Sequence, residues 1–126
     1  MRAIAFKAPQ GLEADLDWIS LATLSNRSVV IRRALKETLD YVKRNGRLPK
    51  TSYVPYGGDK NLRLFTIRVE EDLDRELEAI AREHGLPKSE VVRRAIYHHL
   101  EVEGRKYRPY RGKYVRIYYG GLRSLW

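Results

Sequence analysis

The sequence predicts an α+β fold, mostly helical, in which two copies of one strand-helix-helix unit pair as an intrachain pseudo-dimer around a two-stranded antiparallel ribbon. Three observations predict it. The phrase "SVVIRRALKETLDYV" from Ser28 returns as "SEVVRRAIYHHLEV" from Ser89, and the same ungapped offset of 61 residues sets Arg2 on Arg63, Leu12 on Leu73, Leu16 on Leu77, Ile19 on Ile80 and Ala34 on Ala95. Within each copy the apolar period changes from two to that of a helix. Turn-forming residues then divide the helical part in two.

The first copy opens with "RAIAFKAP", where Ile4, Phe6 and Ala8 alternate with Ala3, Ala5 and Lys7, as in a strand with one buried face. "LFTIRVE" repeats the pattern, with Phe65, Ile67 and Val69 inward and Leu64, Thr66 and Arg68 outward. Leu12, Leu16 and Ile19, and their equivalents Leu73, Leu77 and Ile80, mark the buried stripe of a first helix. In the second copy Glu70, Glu71 and Asp72 suit the positive end of that helix, Gly85 is placed for a left-handed C-terminal residue, and Pro87 blocks continuation. Second helices follow, with Asn26 as N-cap in the first copy; Val30, Ala34, Leu35 and Leu39, and Val91 or Val92, Ala95, Ile96 and Leu100, form their buried faces. One such strand alone exposes two edges, and a unit of about 40 residues buries too little surface to be stable. Each copy therefore needs the other.

The expected organisation is a first unit over residues 1–44, a linker over 45–61 rich in Gly and Pro, a second unit over 62–103 and a tail over 104–126. Charged residues at 33% beside 43% hydrophobic ones describe a soluble chain, and no apolar run approaches the roughly 20 residues of a membrane span. The N-terminal segment alternates instead of forming the apolar core of a signal peptide, so a cytoplasmic setting is expected. The absence of cysteine excludes disulfides, thiol catalysis and thiolate metal sites. One Met, one Gln and three Asn beside many Arg and Glu lean towards a thermophilic source.

These residues resemble the ribbon-helix-helix family of DNA-binding proteins, which includes the Arc and MetJ repressors and reads DNA with strands laid in a groove. The resemblance covers residues 2–44 and, more closely, 63–103, where "LFTIRVEEDLDRELEAIAREHGLPKSEVVRRAIYHHL" follows the family pattern. The tandem arrangement is similar to small regulators encoded by archaeal viruses, which would set the protein in a host cytoplasm. The resemblance implies a sequence-specific transcription regulator of double-stranded DNA, a repressor, with its ribbon in the major groove. Base contacts then fall to Ala3, Ala5, Lys7, Leu64, Thr66 and Arg68. Arg68 and Lys7 suit guanine acceptors, Thr66 offers a hydroxyl or methyl, and the alanines offer only apolar contact, a departure from the polar triplets usual in the family. Phosphate anchoring is implied for the start of each second helix, at Asn26, Arg27 and Ser28, and at Lys88 and Ser89. The pairs Arg32 and Arg33, and Arg93 and Arg94, suit solvated faces or ion pairs between units.

Seven basic and no acidic residues from Gly104 onward account for most of the net charge of +9, interleaved with five tyrosines. Arg105, Lys106, Arg108, Arg111 and Lys113 are expected to add salt-sensitive, sequence-independent DNA affinity. The alternation in "KYVRIYYG" equally suits packing or self-association on DNA. Catalysis is not expected: His84, His98 and His99 are the only histidines, and the sequence shows no carboxylate spacing that joins them in a metal site. No cofactor or small-molecule ligand is evident either. The rival readings are an antitoxin-type autoregulator and a DNA-coating protein without a preferred site.

Overall fold

A computed structural model of the chain describes residues 1–55, 58 and 61–107. These form β1 (Arg2–Pro9), α1 (Gly11–Ala22), α2 (Arg27–Asn45), β2 (Leu62–Val69), α3 (Glu71–His84) and α4 (Lys88–Tyr107). The fold is α+β and mostly helical, and its two strands pair antiparallel. In that register Ala5 faces Thr66, two positions that the 61-residue offset also makes equivalent. Ala3 faces Arg68 and Lys7 faces Leu64, so each pair is carried into the other by the same exchange.

Alternation divides the ribbon into two faces. Ile4, Phe6, Ile67 and Val69 are buried, and Phe65, partly buried, stacks on Phe6 with ring centroids 5.4 Å apart. Strand and helix interlock across the two halves of the chain, because β1 packs on α4 and β2 on α2 while α2 packs chiefly against α4. Both Val91 and Val92 enter the core, together with Val30, Ala34, Leu35, Ala95, Ile96 and Leu100. Burying each of the Val, Leu and Ile side chains contributes about 1.5–3 kcal/mol, and much of the surface that buries these second helices comes from the other half of the chain. Trp18 is also buried, on α1, outside the three-position stripe visible in sequence.

The connection between the copies is more than a tether. Leu48 and Tyr53 are buried, the Tyr53 hydroxyl donates a hydrogen bond to the Asp15 carboxylate on α1, and the Tyr53 ring meets Tyr97 of α4 edge to face at 5.1 Å. Thr51 and Ser52 donate their hydroxyls to Glu101 at 2.8 and 2.6 Å. Burial works to raise the Glu101 carboxyl, but the hydrogen bonds from Ser52 and Thr51 outweigh it and hold the group below its usual range. At the far end α4 continues to Tyr107, so Gly104, Arg105 and Lys106, assigned to the tail from sequence, extend the helix. Gly104 is buried there. A helix-weakening glycine is tolerable on a packed face, where tertiary contact outweighs propensity.

Asn26 caps α2, its side chain accepting from the Val29 amide at 3.0 Å, and Gly85 ends α3 with a left-handed φ of 63°. The equivalent of Gly85 in the first copy is Leu24, whose φ is 53°. The two turns close alike: the Ser25 amide donates to the Ser20 carbonyl, and the Leu86 amide to the Ala81 carbonyl, both at 2.9 Å. Leu24 thus adopts a conformation that disfavours any residue with a Cβ, and at 94% exposure its side chain gains little in return. Leu24→Gly should therefore raise the unfolding free energy by about 0.5–1 kcal/mol, after allowing for the added freedom of glycine in the unfolded chain. Urea unfolding reads this directly, and a loss of stability would contradict the assignment of strain to this turn.

Candidate nucleic-acid interface

The outward face of the ribbon carries Ala3, Ala5 and Lys7 from β1 and Leu64, Thr66 and Arg68 from β2, and all six are exposed. Small or apolar side chains occupy the middle of this face. The two cations stand two residues to either side of the Ala5 and Thr66 pair, on opposite strands. At the rise of a strand, about 3.4 Å per residue, they are roughly 14 Å apart along the ribbon.

Each cation emerges from a backbone position that a helix from the other half of the chain holds in place. Arg32 on α2 donates from Nε to the Arg68 carbonyl at 2.9 Å, and Arg93 on α4 donates from Nε to the Lys7 carbonyl at 2.8 Å. The two bonds are equivalents under the 61-residue offset. They supply donors to carbonyls on the outer edges of a two-stranded sheet, where no third strand is present among the described residues. Arg93 is further fixed by Glu90 at 2.5 Å. Of the two alternatives open for these arginines in sequence, the contact at Arg32 and Arg93 runs between units and is a hydrogen bond to backbone. Their recurrence was the visible signal, but the acceptor is a main-chain atom that no side-chain pattern records.

The start of each second helix shows the same doubling. Arg27 binds Asp17 through two nitrogens and Glu13 at 3.1 Å. Its equivalent Lys88 binds Asp74 at 2.7 Å and Glu78 at 3.2 Å. Cations from the opposite strand complete each cluster, with Arg63 on Glu13 at 2.9 Å and Arg2 at 4.0 Å from Asp74. The hydrogen bond to Asp17 raises the Arg27 pKa further above its already high value. Burial disfavours the Lys88 charge, but Asp74 and Glu78 outweigh it and raise the pKa. The two cations among the five residues named from sequence as phosphate anchors, Arg27 and Lys88, are thus engaged by carboxylates of the preceding helix. The Ser89 hydroxyl accepts from Arg93 at 3.4 Å. What each helix start still presents is its first-turn backbone amides, at Arg27 and Ser28 and at Lys88 and Ser89, which have no acceptor within the helix. A groove of about 280 Å³ lined by Glu13, Arg27, Ser28, Arg63, Leu64 and Thr66 joins the start of α2 to the ribbon face.

Arg105 and Lys106 are exposed in the last turn of α4, and Arg105 reaches back to Glu101 at 3.2 Å. Arg108, Arg111 and Lys113 lie outside the described residues. Away from the ribbon, the structure brings Glu37, His99 and Glu103 together, against the expectation that no carboxylate spacing joins the histidines: His99 and Glu103 stand one helical turn apart on α4, and Glu37 reaches them from α2 across 62 residues of sequence. Among the described residues no helix is long and apolar enough to cross a membrane.

Residues 63–103, which comprise nearly all of β2, α3 and most of α4, match the family model described as ribbon-helix-helix protein, copG family. No curated protein and no solved structure matches the chain. The match supports a ribbon-helix-helix family, whose proteins are typically DNA-binding transcription regulators. Residues 2–44 lie outside it.

Asp74 is nearly buried, with 4% of its side chain exposed, and Lys88 is its close partner. Lys88→Met should destabilise the fold by about 1–3 kcal/mol, since it leaves a buried carboxylate with only the more distant Arg2. Arg27→Met should cost about 1 kcal/mol or less, because Glu13 and Asp17 are more exposed and Arg63 remains. Thermal unfolding of the two variants decides it: equal, negligible losses would contradict a structural role for Lys88.

Proposed function

We propose that the chain is a sequence-specific double-stranded DNA-binding transcription regulator that acts as a repressor by occupying promoter DNA, its two ribbon-helix-helix units paired as a pseudo-dimer within one chain. The observation that carries this reading is the ribbon itself: one face is core, and the other is exposed and ends in Lys7 and Arg68. An antiparallel two-stranded ribbon has the dimensions to enter a major groove. Arg68 presents a guanidinium suited to the two acceptors of guanine, Lys7 presents an ammonium to the same kind of edge, and Ala3, Ala5, Leu64 and Thr66 offer apolar contact to thymine methyls.

Support for the pseudo-dimer comes from features that repeat under the same exchange: the Ala5 and Thr66 pair, the Arg32 and Arg93 bonds, and the carboxylate clusters around Arg27 and Lys88. Phosphate anchoring falls on the first-turn amides of α2 and α4, with the exposed Arg105 and Lys106 and the basic residues beyond them adding affinity without sequence preference. The match of residues 63–103 to a family of typically DNA-binding transcription regulators supports the DNA-binding part of this reading. The alanines favour a second reading, a DNA-coating protein in which the centre of the ribbon discriminates little. The two readings differ in the ratio of specific to random affinity.

Arg68→Ala should weaken binding to the preferred duplex by about 1–3 kcal/mol and relax selection at one position of the site, and Lys7→Ala should relax a position about four base pairs away. Titrations of each variant against preferred and random duplexes at fixed salt test this. Equal losses on both duplexes would assign these side chains to backbone attraction and remove the base-reading role.

A further inference from the structure

Glu37 on α2 and His99 and Glu103 on α4 converge where the two long helices cross, with one ring nitrogen and one oxygen of each carboxylate within 4.8 Å of one another. His99 is 1% exposed, and its Nδ1 stands 2.7 Å from the Glu37 carboxylate. Its Nε2 is also buried and has no protein partner among the described residues. Glu103 lies one helical turn beyond His99, which puts its carboxylate beside the same ring. The hydrogen bond from His99 holds the Glu37 carboxyl below its usual range, with Arg33 and His98 as the other charged or titratable groups acting on it. Two carboxylates therefore converge on one imidazole, whose Nδ1 proton can serve only one of them.

We infer that Glu37, His99 and Glu103 form a binding site for a divalent transition-metal cation. A divalent ion satisfies both carboxylates at once and takes the place of the proton between His99 and Glu37. The donor set decides the class of ion. Imidazole with carboxylates suits Zn²⁺, Co²⁺ or Ni²⁺, whereas Mg²⁺ and Ca²⁺ favour sites built wholly from oxygen. Three protein ligands leave coordination positions for water. Because Glu37 comes from the first unit and the other two ligands from the second, the ion ties the two halves of the chain together and stabilises only their paired state. The ribbon, made by the same pairing, is stabilised with it.

Calorimetric titration of the full chain with ZnCl₂, accompanied by thermal unfolding, tests the site. The expected result is one Zn²⁺ per chain and a raised unfolding midpoint, with binding weakened at least about tenfold in Glu37→Gln and in Glu103→Gln. Neither glutamate is buried, so both variants should fold where a substitution of His99 would disturb the core. His84→Asn, away from the cluster, should bind as the parent does. Absence of Zn²⁺ binding by the parent chain, binding that both glutamate variants retain, or an equal midpoint shift with Mg²⁺ would each overturn the inference.

Discussion

Antiparallel pairing of β1 with β2 about Ala5 and Thr66 is the constraint on which the rest of the structure depends. A solitary strand offers unpaired amides and carbonyls along both edges and an apolar face too small to stabilise two helices. Pairing removes one edge from each strand and joins Ile4 and Phe6 to Phe65, Ile67 and Val69 as one buried surface. Because strand side chains alternate, the same act fixes which residues face away from the core. A slip of one residue in β1 would bury Lys7 and expose Phe6, so the core itself holds the register that presents Lys7 and Arg68.

The polar framework reinforces that register. Arg32 and Arg93 each cross from a helix of one copy to a strand carbonyl of the other, at the residue whose side chain leaves the ribbon. Arg27 and Lys88 are held by paired carboxylates, and Arg63 and Arg2 approach the same clusters from the opposite strand. Much of the positive charge in the two units is therefore balanced internally. For contact with a polyanion, the balance shifts towards the ribbon cations, the first-turn amides and the strongly basic C-terminal residues. In the proposed mode of binding, such a distribution would separate attraction to the DNA backbone, through the amides and basic side chains, from reading of base edges by Lys7 and Arg68.

Local periodicity made much of this legible. The strand faces, the buried stripes of the helices, the Asn26 cap and the left-handed Gly85 all follow from residue types within a few positions of one another, and the structure contains each of them. Contacts that join distant segments were harder to read. The Glu37 and His99 contact spans 62 residues, and Tyr53 reaches Asp15 across 38, so neither leaves a local signature. Arg27 and Lys88 were legible as cations at helix starts, but their partners sit on the preceding helix at a distance set by the turn between. Leu24 is a different case. Its left-handed conformation is imposed by the same closing hydrogen bonds that Gly85 adopts easily, and a leucine gives no sign of it.

In the proposed function, pairing of two units within one chain produces a ribbon that reads DNA sequence. Selection of bound duplexes from a randomised DNA pool at moderate salt, followed by sequencing of the retained fraction, tests it most directly. The proposed function predicts an enriched short motif with two strongly selected positions about four base pairs apart, matching the roughly 14 Å along the ribbon between Lys7 and Arg68. Tight binding without enrichment of any motif would contradict that claim and leave a protein that coats DNA through its backbone alone.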